Sequence, residues 1–236
     1  MVIKFPAICD EKMMFLRDPS AYHGEKNKRP FFEGWYHKLV TSDDQSLVII
    51  PGIYRSGENN NQTAFIMIFD GFSGDLFYEK FEVNEFNCST SSYDLQIGSN
   101  YFSPKRIIID IDSKNLVING EITADNLKPW PVTLFEPGCM GWYAYVPTME
   151  CFHGILSMDH SLDGEIEFNG SHYNFVGGRG YIEKDWGRNF PKNWIWAQSN
   201  HFSNNDLSIT ASLATIPWKN TAFAGFIVGL YCKGNL

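Results

Sequence analysis

The chain has 236 residues, enough for one large or two small domains with a real hydrophobic core. A hydrophobic share of 44% against 19% charged residues excludes a disordered chain, and the net charge of −8 excludes nucleic acid as the main partner. The longest apolar candidate, Ala222 to Tyr231, is too short for a membrane-spanning helix, which needs about 18 apolar residues.

Residues 1–30 hold Pro6, Pro19 and Pro30 and read as an irregular lead-in, with a short helix near Glu11–Arg17 and a solvated basic loop at Lys26-Asn-Lys-Arg29. From Phe31 onward strands follow one another. Ser46-Leu-Val-Ile-Ile-Pro51 ends at a proline, and Thr63-Ala-Phe-Ile-Met-Ile-Phe69 ends at Asp70-Gly71. Arg106–Ile111 precedes a turn, then Leu116–Ile118, a predicted Asn119-Gly120 hairpin turn and Glu121–Thr123. Asp163-Gly164 and Asn169-Gly170 repeat that turn signal around Glu165–Phe168. No segment keeps a helical period over three turns. Aromatic residues at 16% favour pleated, half-buried surfaces and suit a π-rich or greasy ligand. The pattern predicts an all-β barrel or sandwich.

Prolines and glycines between residues 125 and 150 mark a passage between two β units. Ala224–Tyr231 reads as a strand and Lys233-Gly-Asn235 as a turn, after which only Leu236 remains. A hairpin with one arm leaves an unpaired edge, so the second unit reads as incomplete. Five scattered cysteines without a Cys-x-x-Cys pair, and the lack of a secretory leader pattern, fit a cytoplasmic chain with reduced thiols.

Candidate chemistry concentrates in Gly178-Arg-Gly-Tyr-Ile-Glu-Lys-Asp-Trp-Gly187. Strand alternation sets Tyr181, Glu183 and Asp185 on one face, and Ile182, Lys184 and Trp186 on the other. Carboxylates are cheap in water and costly in a core, so alternation alone leaves a surface and a site both open. The next strand, Trp194-Ile-Trp-Ala-Gln-Ser-Asn200, aligns Trp194, Trp196, Gln198 and Asn200. That stripe suits a ligand pocket, with a core of satisfied amides as the plain alternative. Phe31, Glu33 and Trp35 share a face in the same mixed way. In Met149-Glu-Cys-Phe-His-Gly154, Glu150 and His153 offer acid–base or ligand chemistry, but the remaining histidines lack metal-binding spacing. Cys151 and His153 make no dyad by proximity alone, and Gly-x-Ser-x-Gly is absent. Gly177-Gly-Arg-Gly180 opens no helix, so its glycines serve a bulge or close packing rather than a phosphate.

These segments, with Phe31-Phe-Glu-Gly-Trp-Tyr36, Ile50-Pro-Gly-Ile53, Met140-Gly-Trp-Tyr143, Pro147–Gly154, Phe190-Pro191 and Ile216-Pro217, resemble the tocopherol cyclase family from about residue 29 to the end. The resemblance implies a calycin-like fold of two lipocalin-type antiparallel barrels, related to carotenoid hydratases and lipocalin-like pericyclases. Residues 31–150 would form the first barrel and 151–236 the second, incomplete one. It also implies protonation of a prenylated quinol's double bond and capture of the cation by the phenolic oxygen, without metal or organic cofactor. Relatives carry Asp-His where this chain has Glu183-Lys184, so the proton-donor role transfers by position. The resulting expectation assigns catalysis to Glu183, Asp185 and Tyr181. It assigns substrate binding to Trp194, Trp196, Gln198, Asn200, Glu33, Trp35 and His153. The expected partner is a hydrophobic small molecule, reached by peripheral association with a membrane. A non-catalytic carrier of such a molecule is the competing reading.

Overall fold

A computed structural model describes residues 18–24, 30–57, 61–133, 135–146, 148–203, 206–218 and 221–236. The helix expected near Glu11–Arg17 and the basic loop 26–29 lie outside the described residues. The strands are β1 (Phe31–Val40), β2 (Ser46–Arg55), β3 (Gln62–Asp70), β4 (Leu76–Phe81), β5 (Phe86–Cys88), β6 (Leu95–Ile97), β7 (Asn100–Phe102) and β8 (Arg106–Asp112). They continue with β9 (Val117–Asp125), β10 (Cys151–Phe168), β11 (Ser171–Asn174), β12 (Gly178–Gly187), β13 (Trp194–Ser199), β14 (Leu207–Trp218) and β15 (Thr221–Cys232). The fold is all-β and antiparallel, as the sequence predicts. No helix among the described residues is long and apolar enough to cross a membrane.

Twelve strands form one sheet in the order β4-β3-β2-β1-β12-β10-β9-β8-β7-β6-β5, with β11 paired to β10. The sheet curls on itself. Phe77 of β4 packs edge-on against Phe168 of β10, with ring centres 5.4 Å apart. Ser113, between β8 and β9, donates to Glu79 of β4 at 3.0 Å. The curl follows from alternation: β8 and β9 turn every second residue inward, among them Ile107, Ile109, Ile118 and Ile122. With Leu47, Ile49, Ile53, Ile66 and Leu95 they fill the interior. Each such burial contributes roughly 1.5–3 kcal/mol.

A separate three-stranded sheet, β13-β14-β15, packs against the outside of this curl. The contact is a cluster of Ile155, Met158 and Tyr181 with Tyr36, Trp196 and Tyr231. Its own outer face leaves Ile195, Leu213, Phe226 and Val228 exposed. β12 therefore lies between a filled core and a second sheet, and nearly every residue along it is buried. The domain boundary expected at residue 150 falls within one sheet. β10 pairs with β9 and with β12, and β12 pairs with β1, so residues 151–187 complete the first unit and the second sheet begins at Trp194.

Two predicted turns are instead strand interior. Asn119-Gly120 lies within β9, and Asp163-Gly164 lies within β10. Gly120 (φ 155°) sits against the Glu165 carbonyl, and Gly164 (φ 117°) against that of Glu121. The glycines are there for close approach between two strands, not for a reversal. Asn169-Gly170 does reverse the chain, with positive φ at both residues, and joins β10 to β11. Gly180 serves close packing as expected, because a Cβ there would strike the His160 ring.

Candidate functional site

Between the outer face of β1–β3, β10 and β12 and the inner face of β13–β15 lies a cavity of about 530 Å³. Its position follows from register. Tyr36 opposes Glu183 and Gly34 opposes Asp185 across β1 and β12, while Ile155 of β10 opposes Glu183 from the other side. One wall carries Phe32, Ile50, Phe65, Met67 and Phe69, and the other carries Trp194, Trp196, Ala214, Ile216 and Ile227. The polar side chains that break this apolar lining gather around Glu183, Asp185 and His153.

Glu183 is the centre of that group. Its Oε2 accepts from the Tyr181 hydroxyl at 2.6 Å and from the Trp196 indole Nε1 at 3.1 Å. Tyr181 in turn lies 3.3 Å from the Thr210 hydroxyl of β14. Both donors land on one oxygen, which leaves Oε1 to carry a proton. Burial pushes the carboxyl up and Asp185 adds to it. The His153 cation and the two hydrogen bonds pull it back, and the balance lies at about 7. A substantial share of the carboxyl thus keeps its proton near neutral pH. The cause is the Trp- and Met-lined surroundings, in which a bare carboxylate is poorly solvated.

His153, on β10, bridges the two carboxylates of β12. Its Nδ1 is 2.9 Å from Asp185 Oδ1, and its Nε2 approaches Glu183 Oε2 to 3.6 Å. Burial alone would lower the imidazole, but Asp185 and Glu183 outweigh it and raise it to about 9. His153, Glu183 and Asp185 offer donor atoms within 4.8 Å of one another. Both ring nitrogens face a carboxyl group, with Asp185 within hydrogen-bond distance and Glu183 beyond it, so the imidazole is held between the two. Cys139 and Cys151 lie nearby with thiols that burial pushes up, which makes them poor nucleophiles.

Glu183, Asp185, His153, Trp194 and Trp196 thus line one cavity, with Tyr181 buried behind Glu183 and bonded to it. Four other candidates do not join them there. Glu33 borders the cavity, but its carboxylate is held on the opposite face by Lys184 and His23. Trp35 stacks on Tyr93 in the core, ring centres 5.0 Å apart. The reason is parity: Glu33 opposes Trp186 and Trp35 opposes Lys184, so both share the core-side face of β12. Asn200 closes one end of the sheet, donating to Asp159 and to the Gly180 carbonyl and accepting from Lys38. Gln198 faces inward, opposite Thr210, and its amide is buried without a hydrogen-bond partner among the described residues. Tyr36 and Thr210 belong to the site and escaped the sequence reading. The alternation Phe32, Gly34, Tyr36 was the available signal for the first, and none pointed to Thr210.

Residues 121–236 match the Tocopherol cyclase-like family. Over 93% of its length the chain is 25% identical to the chloroplastic tocopherol cyclase of Zea mays and 24% identical to a probable chloroplastic tocopherol cyclase of Oryza sativa. The chain spans 58% of the length of each of these relatives. In fold it is similar to kievitone hydratase from Nectria haematococca, with a TM-score of 0.52, 12% identity, and coverage of 93% of this chain and 68% of the other. A candidate AttH from Nitrosomonas europaea gives 0.50 at 15% identity, covering 98% and 73%. The motifs, the lipocalin-like fold and the sequence matches agree in making the chain similar to the tocopherol cyclase-like family.

Proposed function

We propose that this protein is an acid-catalysed cyclase or isomerase of a prenylated quinol or a similar hydrophobic substrate. The observation that carries this reading is Glu183, a carboxyl raised to about 7 at the edge of an apolar cavity. Alkene protonation needs an acid that still holds its proton when it meets the substrate, and burial in a dry aromatic pocket favours that form.

In this scheme Oε1 of Glu183 gives its proton to one alkene carbon, forming a C–H bond as the π bond breaks. The neighbouring carbon becomes a cation. Trp194 and Trp196 present electron-rich surfaces to it, and Tyr181 and the Trp196 indole stabilise the carboxylate left behind. The phenolic oxygen attacks the cation, a C–O bond forms, and the hydroxyl proton returns to Glu183. Atoms balance with no net oxidation. The apolar walls fold the prenyl chain so that oxygen and cation meet.

The test uses a geranyl-substituted methylhydroquinone as probe. The wild-type protein should release the chromanol, with turnover falling as pH rises through about 7 because the acid form is lost. Glu183→Gln should cut turnover by about 100-fold or more while the probe still binds. Retention of the probe without conversion by the wild-type protein would favour a carrier and sink the catalytic reading.

A further inference from the structure

We propose that Asp185 is a positioning residue, which pins the His153 ring so that Nε2–H faces Glu183 and serves as its counter-charge when Glu183 gives up a proton. This rests on the acid role of Glu183 proposed above and adds a member with no contact to the reacting atoms. Asp185 and Glu183 are two residues apart on β12 and share its cavity face, while His153 reaches both from β10. The 2.9 Å contact between Nδ1 and Asp185 fixes the ring plane, and with it the direction of Nε2.

Exposure is graded along the line. The side chains are 26% exposed at Asp185, 14% at His153 and 7% at Glu183. Asp185 therefore keeps part of its hydration, and its charge is affordable there. Glu183 does not, so once ionised it relies on its neighbours. Tyr181 and Trp196 supply hydrogen bonds, but only His153 supplies a full positive charge within the described surroundings of Oε2. In the ring-closing cycle His153 keeps both its protons. Glu183 alone gives a proton to carbon and regains one from the hydroxyl.

The titratable groups facing this line are Tyr36 on β1, Tyr181 on β12, Cys151 on β10 and Cys139 on the segment before it. Burial pushes all four up, out of the neutral range. The ring of His153 can therefore be followed by nitrogen-15 NMR on histidine-labelled protein without interference from them. In the wild-type protein it should stay doubly protonated past pH 8. Asp185→Asn should move its titration at least one pH unit lower, and Asp185→Glu should restore most of that shift. With the geranyl methylhydroquinone, Asp185→Asn should lower kcat on the order of tenfold at unchanged KM, again with recovery in Asp185→Glu.

An unmoved His153 titration in Asp185→Asn would overturn the proposal, and so would a moved titration with unchanged kcat. If the wild-type protein converts no probe, the acid role fails instead. The ring titration then still decides whether Asp185 pins His153.

Discussion

The two faces of β12 carry the same kinds of residue and do opposite things. On the core side, Lys184 meets Glu33, His23 and the Ala21 carbonyl, and lies 4.6 Å from the centre of the Trp35 ring. Every partner is supplied by the protein. Burial would raise Glu33, but Lys184 and His23 hold it below the ordinary carboxylate range. On the cavity side, Glu183 has donors on one oxygen only and is raised to about 7. A closed set of partners makes a charge structural, whereas an open oxygen beside an apolar space makes it reactive.

The largest effect expected from breaking this contrast is on stability. Lys184→Met leaves Glu33 buried with His23 as its remaining partner, and should cost about 3–5 kcal/mol in urea unfolding. Adding Glu33→Gln should return much of that loss, whereas a single variant of wild-type stability would mean the pair is not sealed.

An effect of comparable size comes with acid. His37 and His160 are buried, and burial lowers them to about 3 and about 4 from an ordinary 6.5. Both are neutral in the folded chain, so their contribution is complete above pH 6.5. It declines as pH falls from there toward 3, because the unfolded chain takes up protons first. Urea midpoints measured between pH 7 and 4 should fall across that window, and flat midpoints would contradict it.

Trp196→Phe removes one donor to ionised Glu183, so its titration and the alkaline limb of turnover should move upward by a fraction of a pH unit. A pH–rate profile reads this directly, and a downward shift would reverse the assigned role. The smallest change expected is in the stability of Glu183→Gln. Below pH 6 an amide replaces a carboxyl that is largely neutral, so the midpoint measured there should stay within about 0.5 kcal/mol of wild type. A large loss would place Glu183 with Glu33 as a structural charge.

Parity was legible in the sequence, and so was much of the site. Tyr181, Glu183 and Asp185 fall on one face of β12 because the pleat alternates, and Trp194 and Trp196 follow the same rule on β13. The Asn-Gly and Asp-Gly signals were less secure. Asn169-Gly170 turns the chain, but Gly120 and Gly164 face each other's strands where no Cβ fits. A dipeptide records the backbone freedom of glycine, not the reason for it.

The amino-acid sequence by itself determined the all-β fold, the alternation within each strand and the residues able to act as acid. Only the tertiary structure decided which face of each strand meets the cavity. The register between β1 and β12 sends Glu33 and Trp35 to the core and Tyr36 to the site. The packing of β13–β15 against β12 then removes Glu183 from water. Strand alternation is a local property of the pleat. Desolvation of a carboxyl and the approach of His153 depend on neighbours distant in the chain, and these are set only when the sheets pack.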